Sequence, residues 1–234
     1  MKKTFLPLLI IMLAFVATPK AQTVDEMITK HIEARGGLEK IRNLKTMILS
    51  GSMQQAGNTI EMTYSYVNNK AIKVEFSVAG QTGYNIVTEK EGWVFNPFAQ
   101  QTEAQAMEPE QLKDAQGQLD IQGGIVDYKS KGNTVEYLGK ESKQGVEYYK
   151  LKLTLASGKV ITYLLDKNYL VASATSSSLV QGTRQDVTTE YSDYRKTPDG
   201  YLIPFKRVTP FTEVIIEKAE INPKIDESIF KPSN

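Results

Sequence analysis

The 234-residue sequence contains no cysteine, a single histidine and a single tryptophan. Without cysteine it can form no disulfide, no thiolate metal site and no nucleophilic thiol. Nor is there a cysteine behind the N-terminal apolar run to accept a lipid anchor, so an untethered protein is expected. One histidine, His31, cannot supply the converging ligands of a histidine-based metal site. Ser-His-Asp catalysis would have to run through it, and no G-x-S-x-G elbow accompanies it. His31 falls inside a helical pattern between Lys30 and Ile32, and its expected place is the surface or a boundary. No G-x-x-x-x-G-K-[ST] run occurs, so Gly36-Gly37 and Gly123-Gly124 read as helix stops or turns and not as phosphate loops. Charge of one sign is missing too, with 28 basic against 27 acidic residues. That balance argues against nucleic acid and against an anionic membrane surface as partners.

What is present begins with a leader. Lys2 and Lys3 precede an apolar run from Phe5 to Val16, and Ala17-Thr18-Pro19-Lys20-Ala21-Gln22 follows it. A basic start, a short apolar stretch and a small-residue exit describe a secretory signal peptide. The run is shorter than the roughly 20 residues of a membrane-spanning helix. Residues 1–21 are expected to be removed on export to the periplasm, leaving residues 22–234 as one domain with a net charge near −2.

The mature chain opens with a helix. Thr23-Val24-Asp25-Glu26 fits a capping box. Val24, Met27, Ile28 and Ile32 recur at helical spacing, and Gly36-Gly37 supplies the stop. From Thr46 the apolar period becomes two. Ile60, Met62, Tyr64 and Tyr66 alternate with polar residues, as do Ile72, Val74, Phe76 and Val78, and later Tyr149, Leu151, Leu153 and Leu155. One wet face and one buried face point to an antiparallel sheet. Turn signals at Gly57-Asn58, Asn68-Asn69, Ser157-Gly158 and Asp199-Gly200 divide it into about eleven strands.

The interval 97–131 breaks this rhythm. Pro109 can open a helix in which Leu112 and Ala115, then Leu119, recur at helical spacing, before Gly123-Gly124. A curved sheet of this size cannot close as tightly as an eight-stranded barrel, so helices must occupy part of its concave face. Space left over would be lined by Ile, Val, Leu, Met, Phe and Tyr, which suits a lipid or an acyl chain. Polar candidates for chemistry are weaker. Asp186 and Glu190 share a strand face, as polar residues two apart on any wet face do. In the stretch from Glu190 to Phe205, Tyr191 and Asp193 are expected on one face and Tyr194 on the other, with Pro198-Asp199-Gly200 as the turn. Pro204 implies a strand edge or bulge.

The end of the chain carries a resemblance. "YSDYRKTPDGYLIPFKRV", then "EVIIEKAEINPKIDESIFKPSN", is similar to the close of the outer-membrane lipoprotein-sorting (LolA/LolB-like) superfamily. The start, "EARGGLEKIRNLKTM", looks like members common in Bacteroidetes-type bacteria. The resemblance implies a mainly β fold with helices (α+β): an unclosed antiparallel β-barrel of about eleven strands, with helices over its concave face. It also implies a soluble carrier of lipoprotein acyl chains or another lipid, without enzymatic activity or cofactor. Inner-membrane donor and outer-membrane acceptor proteins would be further partners, and the carrier a monomer. The family's carrier holds its lid shut with an arginine, and the sequence offers Arg35, Arg42, Arg184, Arg195 and Arg207. The expected acyl-chain lining is Trp93, Phe95, Phe98, Met107 and Leu112, with 97–131 as the lid. Two other classes remain open at this point, a non-enzymatic envelope scaffold and a carboxylate-based envelope hydrolase.

Overall fold

The computed structural model describes residues 23–232 apart from 56 and 181. The expected leader and its cleavage point lie outside them. Helix α1 (Val24–Ala34) starts at the capping box read from the sequence: Glu26 N donates to Thr23 Oγ1 at 3.2 Å, and Thr23 N donates to Glu26 Oε2 at 3.3 Å. Met27 and Ile28 form its buried stripe. Gly36 and Gly37 stop it with φ of +115° and +97°, conformations that carry little penalty without a Cβ. A short helix α2 (Leu38–Arg42) then leads into the sheet.

The strands are β1 (Thr46–Gln55), β2 (Asn58–Val67), β3 (Ala71–Val78), β4 (Gln81–Thr88), β5 (Gly92–Phe95) and β6 (Gln105–Ala106). After helix α3 (Pro109–Gln116) come β7 (Thr134–Lys143), β8 (Val146–Thr154), β9 (Val160–Leu165) and β10 (Val171–Val180). The chain closes with β11 (Thr183–Lys196), β12 (Leu202–Val208) and β13 (Glu213–Ile221). All belong to one antiparallel sheet in the order β6-β5-β4-β3-β2-β1-β13-β12-β11-β10-β9-β8-β7. It is two meanders joined by β1 against β13, and it is unclosed, ending at β6 and β7. Thirteen strands replace the expected eleven or so, and two-residue β6 lies inside the interval that carried no strand pattern.

Strand pairing traces one inner face across the sheet. Tyr66, Ile72 and Val87 sit opposite one another on β2, β3 and β4, as do Leu153, Val135 and Ile161 on β8, β7 and β9. Helix α1 covers the second group, where Met27 and Ile28 join Val135, Leu151, Leu153 and Leu165. The 97–131 interval covers the first, through Met107, Leu112, Ala115, Leu119 and Ile121. Burial of either stripe is worth about 25 cal/mol for each Å² of apolar surface, which is what holds these short helices on the sheet. On the outer face the C-terminal turn Glu227–Phe230 seals Ala71, Tyr84 and Ile86 with Phe230.

Pro204 is accommodated as its chemistry requires. β12 pairs with β13 only over Lys206–Val208, so Pro204 faces no β13 ladder and its missing N–H costs nothing there. The preceding turn is closed by Gly200 N donating to Thr197 O and Thr197 N donating to Tyr201 O, both at 2.8 Å, with Gly200 at φ +83°.

Candidate ligand-binding interior

Helix α3 lies across the inner face as a strap. Pro109 occupies its first turn, where the absent N–H would have no partner anyway. At one end Gln116 Nε2 donates to Thr88 O at 3.1 Å and to Glu89 O at 2.9 Å. At the other, Arg184 Nε donates to Glu110 Oε1 at 2.9 Å, and in the last turn Lys159 Nζ donates to Asp114 Oδ1 at 3.0 Å. Leu179 N donates to the second Asp114 oxygen at 3.3 Å. Between these ties no α3 residue is fully buried. Its underside rests on Gly92: a Cβ there would stand 2.7 Å from Met107 Sδ and 3.0 Å from Leu112 Cδ1. A cavity of about 240 Å³ remains beneath, bounded by Ile72, Val74, Asn85, Val87, Met107 and Ala115.

Asp114 is the tie most sheltered from solvent, with 18% of its side chain exposed. Asp114→Ala removes a charged acceptor from two donors, each such bond being worth about 1.5–3 kcal/mol. Amide exchange in α3 is therefore expected to quicken at least tenfold, with the β7–β9 amides unchanged. Unaltered α3 protection by hydrogen-exchange mass spectrometry would show that the strap is held by packing alone.

Two further cavities meet at Arg35. One, of about 180 Å³, is lined by His31, Arg35, Ile125, Tyr163, Tyr191 and Tyr194. The other, of about 140 Å³, has Arg35 and Arg207 set among Met47, Leu49, Ile121 and Ile203. Arg35 caps α1 and points its Nη1 at Gln122 O, 2.9 Å away. Gly123 permits this: a Cβ there would lie 3.3 Å from Arg35 Nη1 at a φ of +93°. Burial pulls the Arg35 guanidinium below its ordinary value and pushes the Tyr163 and Tyr194 phenols up. A larger cleft of about 1200 Å³ opens to solvent between α3 and the ends of β9–β11, with Asp114, Lys159, Thr175, Ser177, Arg184 and Asp186 around it.

The structure separates the five residues expected to line an acyl-chain site. Met107 and Leu112 lie on the inner face. Phe98 stands 45% exposed, its ring 6.2 Å from that of Phe76. Trp93 and Phe95 are corrections. They pair with Ile86 and Tyr84, while Gly92 and Val94 pair with the inner-facing Val87 and Asn85. Successive strand residues point to opposite sides, so Trp93 and Phe95 pack on the outer face with Phe230.

Other expectations are corrected as well. His31 is 2% exposed, not superficial, and its Nδ1–H donates to Tyr169 O at 2.8 Å. Burial, then the neighbouring Arg35 charge, push its pKa down to about 4, so the ring is neutral. Strand alternation predicts opposite faces for Tyr191 and Tyr194, yet they line one cavity, because Asp193 at φ +53° breaks the alternation between them. Asp186 borders the open cleft, whereas Glu190 is engaged by Lys143 at 3.2 Å, so the two carboxylates do not face a common space. Among the described residues no cluster of three or more His, Asp or Glu is placed to hold a metal ion.

Of the five arginines, three reach the 97–131 interval: Arg35 at Gln122, Arg184 at Glu110, and Arg42 at Asp127 with an Nε–Oδ2 distance of 2.8 Å. Arg195 pairs with Asp193 on its own strand and lies over the Phe205 ring. Arg207 is different. It points inward, 6.0 Å from the Tyr64 ring centroid, with the Tyr66 side chain as its hydrogen-bonding neighbour. Its Nε is buried without a partner, and it forms no ion pair with any described residue. The sequence carried a signal for it: an arginine two residues from Phe205 and four from Ile203, in step with an apolar set.

An unclosed antiparallel sheet with helices strapped over one face defines the class: an open half-barrel with internal cavities. More particularly, the fold is that of LolA superfamily proteins. The chain superposes on such a protein from Nitrosomonas europaea with a TM-score of 0.58 at 15% identity, covering 90% of this chain and 98% of that one. A protein domain from Vibrio parahaemolyticus described as outer-membrane lipoprotein-sorting gives 0.54 at 13% identity, covering 88% and 94%. A DUF1329 family protein from Desulfovibrio piger gives 0.52 at 12%, covering 89% and 97%. No family model and no curated protein matches the sequence.

Proposed function

We propose that the chain is an exported, periplasmic carrier that holds the acyl chains of a lipid or lipoprotein between its sheet and the α3 strap. One observation carries this. An amphipathic helix with no fully buried residue spans an apolar sheet face, tied at its ends by polar contacts over a cavity. Exposed ion pairs such as Arg184–Glu110 contribute about 0–1 kcal/mol each. Even with the more sheltered Asp114 bonds added, lifting the strap costs less than unfolding the sheet, and α3 would be a segment of the kind that opens locally. Opening would join the space under Met107 and Leu112 to the large cleft, and acyl chains would replace the strap against Ile72, Val74 and Val87. Release to an acceptor then needs only exchange of one apolar cover for another, without an energy source of its own. The lipoprotein-sorting description of the Vibrio parahaemolyticus domain supports the same reading.

Leu112→Asp tests it. A carboxylate under the strap is expected to abolish binding of a fluorescent acyl probe while the circular dichroism spectrum stays that of a folded sheet. Retained binding with an unchanged spectrum would overturn the assignment of α3 as the lid. Solvent extraction of the protein purified from its own periplasm should release acyl species detectable by mass spectrometry.

A further inference from the structure

We propose that the ligand is a single-chain amphiphile with an anionic head, a long-chain carboxylate, and that Arg207 with Arg35 receives that head inside the half-barrel. This rests on the reading of the interior as an acyl-chain site and adds the polarity of what binds there.

The argument begins with what Arg207 lacks. A guanidinium carries five donors and a permanent charge, and taking it from water is costly unless a counter-charge and acceptors replace the solvent. Arg207 is set on the apolar face of β12, with Tyr64, Tyr66 and Tyr191 as its polar surroundings. The phenols and the Tyr64 ring face offset that cost without supplying a counter-charge. Nε remains sealed and unpaired. The described structure brings no carboxylate to it, although Glu213 is nearby in sequence and spends its charge on Lys206 at 2.8 Å. Arg35, the second cation on the same 140 Å³ cavity, uses one nitrogen on Gln122 O and likewise forms no ion pair among the described residues. Two cations on one apolar-lined cavity, neither in an ion pair among the described residues, form a receptor for an anion attached to hydrocarbon.

Size selects the head. The cavity matches the roughly 150 Å³ void that accepts a benzene-sized guest. It has room for a carboxylate and the first few carbons. Ile121 lies on its wall, and Leu119 and Ile121 continue into the cluster under α3. A tail would follow that route towards the 240 Å³ space beneath Met107 once the strap lifts.

Titration of the leaderless protein with cis-parinaric acid, and with the neutral alcohol of the same chain, tests the proposal. The wild-type protein is expected to bind the acid at least tenfold more tightly than the alcohol. Arg207→Leu should bring that ratio near one by weakening the acid, and Arg207→Lys should restore part of it. Equal affinities in the wild type, or an unchanged ratio in Arg207→Leu with a native thermal melt, would overturn the proposal. The ratio measured on the wild type stands even if the variant does not fold. Stronger competition by lysophosphatidic acid than by palmitate would overturn the carboxylate in favour of a phosphate head. If neither acid, alcohol nor a diacyl probe binds, the acyl-carrier reading itself fails.

Discussion

Replacing Gly51 with valine is expected to destabilise the protein by more than about 3 kcal/mol. A Cβ at this position would lie 2.0 Å from Ile215 O and 2.9 Å from Ile216 Cα. These are backbone atoms of the partner strand, so no rotamer change relieves the clash. The site is also where the fold is joined. β1 and β13 are the strands that link the N-terminal meander to the C-terminal one, and their register shifts between Ser50 and Gly51. Urea unfolding followed by circular dichroism measures the loss, with Ser52→Ala as a neighbour expected to stay within about 0.5 kcal/mol of wild type. A Gly51→Val protein of near-native stability would mean that the β1–β13 seam is not closely packed.

Acid should loosen the fold through His31. In the unfolded chain its pKa is near 6.5, and in the fold burial beside Arg35 pushes it down to about 4. The folded state therefore keeps the ring neutral where the unfolded chain binds a proton. The stability this confers is complete above pH 6.5, declines as pH falls, and is gone once pH passes below about 4. A shift of this size corresponds to roughly 3 kcal/mol. The depressed carboxyl groups of Asp127, Asp193 and Asp226 start below the ordinary carboxylate value, so their losses fall at the lower end of this window or beneath it. His31→Gln, which offers an amide N–H to Tyr169 O, should lose some stability at pH 7.5 yet show a much flatter profile between pH 6.5 and 4. Parallel profiles for wild type and variant would place the acid sensitivity elsewhere.

Much of the fold was legible because local chemistry and global architecture agree. The Thr23–Glu26 box, the stop at Gly36-Gly37, the alternation in β2, β3 and β8, and the Pro198-Asp199-Gly200 turn each appear where their residues demand. The candidate site was legible only in part. Leu112 and Met107, chosen for composition and position, lie on the inner face. Trp93 and Phe95 misled because the four-residue strand β5 has apolar residues on both faces, and hydrophobicity alone does not say which side is inner. The Tyr191–Tyr194 pair was hidden by one positive φ at Asp193, which period-two reasoning cannot anticipate.

By itself the sequence determined the elements: one capped helix, a long antiparallel series of alternating strands, a helix opened by Pro109, and no cysteine chemistry. Those are properties of neighbouring residues, set by periodicity, turn preference and capping. Only the tertiary structure decided that Arg35, at the C-terminal end of α1, shares a cavity with Arg207 of β12. It likewise decided that His31 is interior and that the two meanders meet at Gly51. These depend on pairings between segments far apart in the chain, whose free energy lies in excluded water and close packing, which no local pattern records.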